Sequence, residues 1–322
     1  MSIKNYPLQF EPILKERIWG GEKLNTVLNK PIVSKITGES WELSTVEGDV
    51  SVVANGKLKG KSLTELIEKS PKAILGTKVY ERFGKQFPLL FKYLDAREDL
   101  SIQVHPNDKL AKERHNSFGK TEMWYVMQAD ADARIIVGFK EDSSKEEYLE
   151  NLNNNTLVSI LDDVKAKAGD VFFLETGTVH AIGAGLVVAE IQQTSDITYR
   201  LYDFDRVDAQ GNKRELHVDL ALDAINYNKV DTHKKYETIQ NQSNVVVDCP
   251  YFTTNFIPLD GTIDVSRNGE TFTVYMCIEG SFGIRYENEI YKYEKGDTVL
   301  LPADISNYML DGYASVLEVF IS

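Results

Sequence analysis

The run Ser101-Ile102-Gln103-Val104-His105-Pro106 alternates strictly, so a strand through it carries Ser101, Gln103 and His105 on one face and Ile102 and Val104 on the other. A polar face of that kind needs a reason to be inside. Further on, Lys120, Glu122 and Trp124 share a face by the same period, and His180 follows the turn after 170–174. Neutral imidazoles from His105 and His180, the Glu122 carboxylate and the Gln103 amide oxygen make an N and O donor set suited to zinc or another divalent ion. With one coordination position open, such an ion does Lewis-acid chemistry. Taken singly, each of these residues is more often a satisfied polar group at a barrel mouth. The set argues for a metal.

Bringing four ligands together takes several strands, and the sequence supplies them. Short β-branched and aromatic runs at 89–94, 101–105, 123–127, 134–139, 170–174, 186–191, 252–257, 272–278, 282–290, 298–301 and 314–321 are punctuated by turn residues. Helical periodicity is confined to 63–69 with 71–75, 146–152, and 215–226, where Leu216, Leu220, Ala221 and Ile225 line one face. The pattern predicts a mainly β protein of sandwich or barrel type with small helical inserts. There is also internal repetition: Gly169 to His180 aligns without gaps to Gly296 to Asn307, and more weakly 121–125 aligns to 271–275. Two copies of one β-domain are expected, joined by a polar stretch near 227–244, which gives domains at 1–235 and 236–322. Where the first copy has Glu122 and His180, the alignment puts Phe272 and Asn307 in the second. Only the first copy is expected to hold an ion.

Composition narrows the partners. The chain has 322 residues, 42% hydrophobic and 26% charged, with net charge −13, so its average field repels nucleic acid and anionic lipid. No apolar run reaches the length of a membrane span, and Met1 to Pro7 lack the pattern of a secretory leader. Cys249 and Cys277 are too few for a disulfide framework and read as buried small hydrophobes. A cytoplasmic protein is expected, acting on a small molecule as a monomer or weak homo-oligomer.

Longer strings carry a resemblance. Gly169-x5-Glu175-x-Gly177-x2-His180 resembles the second cupin motif, with Glu175 where that motif commonly has Pro. Arg17-Ile18-Trp19-Gly20-Gly21, the 101–108 run, Gly119-Lys120-Thr121-Glu122-Met123-Trp124, Gly177-Thr178-Val179-His180 and the stretch from Glu190 to Arg206 together resemble type I mannose-6-phosphate isomerases of the short bacterial kind, over most of 10–210. The resemblance implies a bicupin of two jelly-roll barrels. It also implies a zinc enzyme, one ion per chain, that interconverts mannose 6-phosphate and fructose 6-phosphate. It places the metal ligands on Gln103, His105, Glu122 and His180, the essential arginine on Arg200, and a substrate-facing serine and lysine on Ser101 and Lys120.

The chemistry stands beside the name. Moving a carbonyl between C1 and C2 means removing the C2 proton, passing through an enediol and returning a proton to C1. Arg200 fits the role of fixed positive charge beside the ion. Glu190, after an apolar run, leads as proton carrier, because burial raises a carboxyl toward neutrality; Lys120 and a metal-bound water are the other candidates. Ser101, Lys120, Arg200 and Arg206 are the candidate phosphate cradle, with Arg206 equally suited to an ion pair inside Asp203-Phe204-Asp205-Arg206. Trp19, beside Gly20 and Gly21, and Trp41, in Gly38-Glu39-Ser40-Trp41-Glu42, either border a sugar or pack against turns. His115, His217 and His233 read as surface histidines. The competing readings are another cupin metalloenzyme, such as a different sugar-phosphate isomerase or an oxygenase, and a sugar-binding regulator without catalysis.

Overall fold

In the computed structural model, which describes residues 5–207 and 211–322, the alternating and apolar runs form two facing sheets followed by a third. Positions 1–4, read above for a leader, lie outside the described residues. The first sheet runs Ile13–Gly21, Thr37–Leu43, Leu89–Ala96, Leu186–Gln193, Glu122–Ala129, Val171–Leu174, His233–Lys234. The second runs Tyr199–Tyr202, Ile102–Val104, His180–Ile182, Arg134–Phe139, Leu161–Lys165. Every paired strand is antiparallel.

Leu89–Ala96 and Leu186–Gln193 are buried along their whole length, which is why they read as continuous apolar runs instead of alternating ones. One face of their sheet, through Leu94, Trp124, Val126, Phe172 and Val188, meets Ile135, Val137 and Ile182 of the facing sheet. The other face, through Phe91, Met123, Tyr125 and Ile191, shares a core with Phe256, Phe272, Val274, Met276, Leu317 and Val319 of the C-terminal sheet. Each such side chain contributes about 1.5–3 kcal/mol when fully buried, so the two parts of the chain are held together by a continuous apolar core. The C-terminal part has a further interior of its own around Tyr275, Phe282, Ile284, Val299 and Leu310.

The internal repeat is visible as one turn built twice. Gly169 and Gly296 have φ of 91° and 92°. Asp170 and Asp297 each accept, through a carboxylate oxygen, the amide three residues upstream at 2.9 and 2.8 Å. The register corrects the weaker alignment by one residue. Leu174 faces Glu122, and its counterpart Leu301 faces Thr273; the partner of Glu122 in the second copy is therefore Thr273, not Phe272. Gln103 faces His180 as Ser266 faces Asn307. A serine, a threonine and an asparagine stand where the first copy has ligand candidates. Among the described residues, one cluster of three His, Cys, Asp or Glu side chains has metal-binding geometry: His105, Glu122 and His180.

The helices Leu63–Lys69 and Pro71–Leu75 fall where periodicity puts them, the first under a Ser62–Glu65 capping box and the second with Pro71 in its first turn. The helix expected over 215–226 contracts to Val218–Leu222, and Leu216 and Leu220 are 43% and 38% exposed, so the proposed apolar face does not form. The strand expected over 282–290 is two strands joined by a tight turn in which Glu287 takes φ of 56°. The polar stretch 227–244 is tied down: His233–Lys234 forms an edge strand on Val171 and Phe172. Cys277 is buried as expected, whereas Cys249 is half-buried.

Candidate active site

Three neighbouring strands put His180, Gln103 and Arg200 in one row, because Gln103 pairs with His180 on one side and with Arg200 on the other. Glu122 comes from the opposing sheet, and His105 from the bend that ends its strand at Pro106. The His105, Glu122 and His180 ligand atoms lie within 4.8 Å of one another. All three residues are at most 2% exposed.

Their hydrogen bonds leave the set ready for a cation. His105 Nδ1 lies 2.9 Å from the Ile197 carbonyl and His180 Nδ1 2.8 Å from that of Thr178. A carbonyl only accepts, so each Nδ1 carries the proton and each Nε2 presents a lone pair. Burial holds both imidazoles below their ordinary range, His180 at about 4. Between the two Nε2 atoms sits Glu122, whose oxygens lie 3.6 and 3.3 Å from them, with neither oxygen in a hydrogen bond. Gln103 reaches the edge of this set through its side-chain amide nitrogen, 3.3 Å from His180 Nε2. A fully buried carboxylate without a hydrogen bond is costly, and burial pushes Glu122 up despite Lys120. Facing two imidazole lone pairs, it fits a divalent ion.

Lys120 Nζ is 2.9 Å from Glu122 Oε2, without hydrogen-bond alignment, and 3.0 Å from His105 Nε2. Burial works against its charge, but Glu122 and Glu190 outweigh burial and hold it protonated. Above the cluster opens a cleft of about 540 Å³, lined by Ser101, Gln103, Lys120, Glu190 and Arg200 among the residues singled out above. Trp19 and Trp41, 4% and 5% exposed, form part of its wall. A larger cavity of about 1100 Å³ lies beside Tyr251 and Asp108 and shares Asp196 with the cleft, but Gln103 and Lys120, which border the metal cluster, line only the cleft.

The structure corrects two expectations. Glu190 does not rise toward neutrality. Burial pushes it up, but Lys92, 3.1 Å away, and Lys120 outweigh burial, and the Trp124 indole donates to it at 2.9 Å; the net direction is down. Arg206 does not line the cleft: it binds Asp203 at 2.6 Å and the Asp99 carbonyl. In its place Arg214 lines the cleft, sharing the same Asp203 carboxylate.

Several cleft residues escaped the sequence reading. Lys92 joins Trp41, Glu190 and Trp124 in one register row across four strands; its signal was a lone charge inside an otherwise apolar run. Glu39 is clamped by Arg17 at 2.8 and 3.1 Å and by the Trp41 indole at 2.6 Å. His217, read as a surface residue, accepts the Arg200 amide at Nδ1, 3.0 Å away. Arg200 itself donates to the Glu215 carbonyl at 2.8 Å and has a buried Nε without a partner.

A mainly β protein with His, Glu, His and Gln converging beneath a polar cleft defines a cupin-type metal-site protein. Comparison with known families narrows this. "Phosphomannose isomerase type I, catalytic domain" matches residues 8–134, and "Mannose-6-phosphate isomerase, cupin domain" matches residues 241–321. The chain is 38% identical to mannose-6-phosphate isomerase ManA of Bacillus subtilis, covering 97% of this chain and 98% of that protein. It is 37% identical to mannose-6-phosphate isomerase of Streptococcus mutans, covering 97% of each. The crystal structure of the Bacillus subtilis mannose 6-phosphate isomerase superimposes with a TM-score of 0.89 at 35% identity, over 98% of this chain and 99% of that one. The chain belongs to the type I phosphomannose isomerase family.

Proposed function

We propose that this chain interconverts mannose 6-phosphate and fructose 6-phosphate, using one zinc ion per chain held by Gln103, His105, Glu122 and His180. The observation that carries the reading is the Glu122 carboxylate, buried without an aligned hydrogen bond between two imidazole Nε2 atoms, beneath a cleft lined by Lys120, Arg200 and Arg214. When bound, the ion supplies Lewis-acid polarisation of the sugar oxygens. Ser101 and Arg214 cradle the phosphate dianion, the locally basic pocket that a chain of net charge −13 needs, while Arg200, paired across the ladder with Gln103, supplies fixed positive charge beside the ion site. Among the described residues Arg200 forms no ion pair with a carboxylate; its guanidinium donates to the Glu215 carbonyl, so its charge is available to substrate.

Glu190 accepts the C2 proton, and the C–H electron pair becomes the C1–C2 double bond of the enediol as O1 takes a proton from Lys120. The proton on Glu190 returns to C1 while the O2 proton passes back to Lys120 and C2 becomes the carbonyl. Because Glu190 is a weak base, the acidity of the C2 hydrogen has to come from stabilising charge on the oxygens, which Lys120 supplies as a protonated donor. Trp19 and Trp41 wall the sugar and exclude water. The architecture we infer is a bicupin of two jelly-roll barrels, 1–235 catalytic and 236–322 without a metal, and two free cysteines fit a cytoplasmic setting.

A metal-dependent oxygenase on the same fold is the competing reading; the cationic cleft favours the isomerase. Protein stripped with a chelator and reloaded with zinc under anaerobic conditions is expected to convert mannose 6-phosphate to fructose 6-phosphate in a coupled assay. Inactivity of the zinc-loaded protein without oxygen would overturn the reading.

A further inference from the structure

We infer that Tyr251, in the C-terminal part, is a positioning residue for Lys120, acting through Asp108. Asp108 ties together four pieces of chain. Its Oδ2 accepts the Tyr251 hydroxyl at 2.8 Å; its Oδ1 accepts the Gly119 amide at 2.8 Å and the Gln193 side-chain amide at 3.0 Å. Gln193 in turn accepts the Thr121 amide at 2.9 Å and donates its own amide to the Thr121 carbonyl at 3.1 Å. Lys120 is therefore fixed on both sides, through Gly119 and Thr121, by one carboxylate and its amide partner. The approach is close: a Cβ on Gly119 would come within 2.7 Å of the Asp108 nitrogen, so only glycine fits.

The same segment carries the metal ligands. Asp108 follows His105 by three residues, and Glu122 follows Lys120 by two. Tyr251 sits in the turn between Asn244–Asp248 and Thr253–Ser266, and that turn is also gripped by Arg82, whose guanidinium donates to the Pro250 carbonyl at 2.6 Å. Burial and the Asp108 charge push the Tyr251 phenol up to about 12, so it stays a donor. A C-terminal part without its own ligands thus contributes to the site by holding the lysine that faces the ion and the sugar. Misplacement of a reacting group by about 1 Å costs up to a hundredfold in rate, so small shifts in this anchor are kinetically visible.

This inference rests on the role given to Lys120 above. The test compares full-length, zinc-loaded wild type with Tyr251→Phe, Asp108→Ala and Asp108→Asn. Tyr251→Phe, losing one charge-assisted hydrogen bond, is expected to lower kcat about tenfold with KM, zinc content and Tm near wild type. Asp108→Ala falls further. Asp108→Asn keeps an acceptor for Gly119 and a donor for the Tyr251 oxygen, and is expected to restore kcat to within about threefold of wild type. Amide exchange at Gly119 and Thr121 is expected to quicken in Tyr251→Phe. Wild-type kcat in Tyr251→Phe, or a loss matched by a fall in Tm or zinc content, would overturn the tether. Inactive wild type would instead overturn the functional reading, and shows itself before any substitution is made.

Discussion

Glu190 in the first half and Glu318 in the second occupy the same register position, each opposite an aromatic residue whose polar edge donates to it: the Trp124 indole at 2.9 Å and the Tyr275 hydroxyl at 2.8 Å. What surrounds them differs. Glu190 pairs with Lys92 and opens onto the cleft. Glu318 is closed in by Arg267, Asn255 and Ser243. The same register position is a wall of the cleft in one copy and a structural anchor in the other.

Replacing His180 with Ala removes one of two Nε2 donors and leaves Glu122 without its partner at 3.3 Å. Metal content is expected to fall from about one ion per chain to none, with activity lost and circular dichroism unchanged, because the ligand cluster sits at one end of a core that packs without it. Elemental analysis of purified protein checks this.

Arg200→Ala removes a cation from the cleft. If it stabilises charge that develops only along the reaction, kcat falls by roughly 10²–10³ with a modest change in KM. Steady-state kinetics decide, and an unchanged kcat takes Arg200 out of the mechanism.

Arg214 and Arg206 share Asp203, but only Arg214 lines the cleft. Arg214→Ala is expected to raise KM for the sugar phosphate roughly tenfold or more, and Arg206→Ala to change it far less. Equal effects would mean that the pair acts through Asp203 alone.

Glu190 has a depressed native pKa, so its ionised form stabilises the fold above the ordinary carboxyl range, and that contribution is lost as pH falls through about 4.5 toward the native value. Glu190→Gln strands the buried Lys92 and is expected to cost roughly 3 kcal/mol at pH 7, with the difference from wild type shrinking below about pH 4.5. Urea titrations at the two pH values measure this. Because Glu190 is the proposed acceptor of the C2 proton, kcat/KM of this variant is expected to fall by roughly 10²–10⁴ across the pH range; in wild type no limb between pH 5 and 7 is assigned to Glu190, whose native pKa is depressed.

Ending the chain after Lys229 strips Phe256, Phe272, Val274, Met276, Leu317 and Val319 from their shared core with Phe91, Met123, Tyr125 and Ile191. The fragment is expected to be insoluble on expression. A soluble, active fragment would show the C-terminal part to be dispensable, against the core continuity described above.

Much of this site is written locally. Alternation of two residues per repeat put Gln103 and His105 on one face and Lys120 and Glu122 on another, and the gapless repeat from Gly169 matched a turn that the chain builds twice. Such features are legible because strand period and turn chemistry depend on neighbours in sequence. Tertiary structure alone decided which strands lie side by side, and with that the one-residue correction that pairs Glu122 with Thr273. It also decided the charge state of Glu190, set by Lys92 nearly a hundred positions away, and the choice of Arg214 over Arg206 for the cleft. Period tells a strand which way each side chain faces; the partner across the ladder, whose charge fixes pKa and pairing, is known only once distant segments pack.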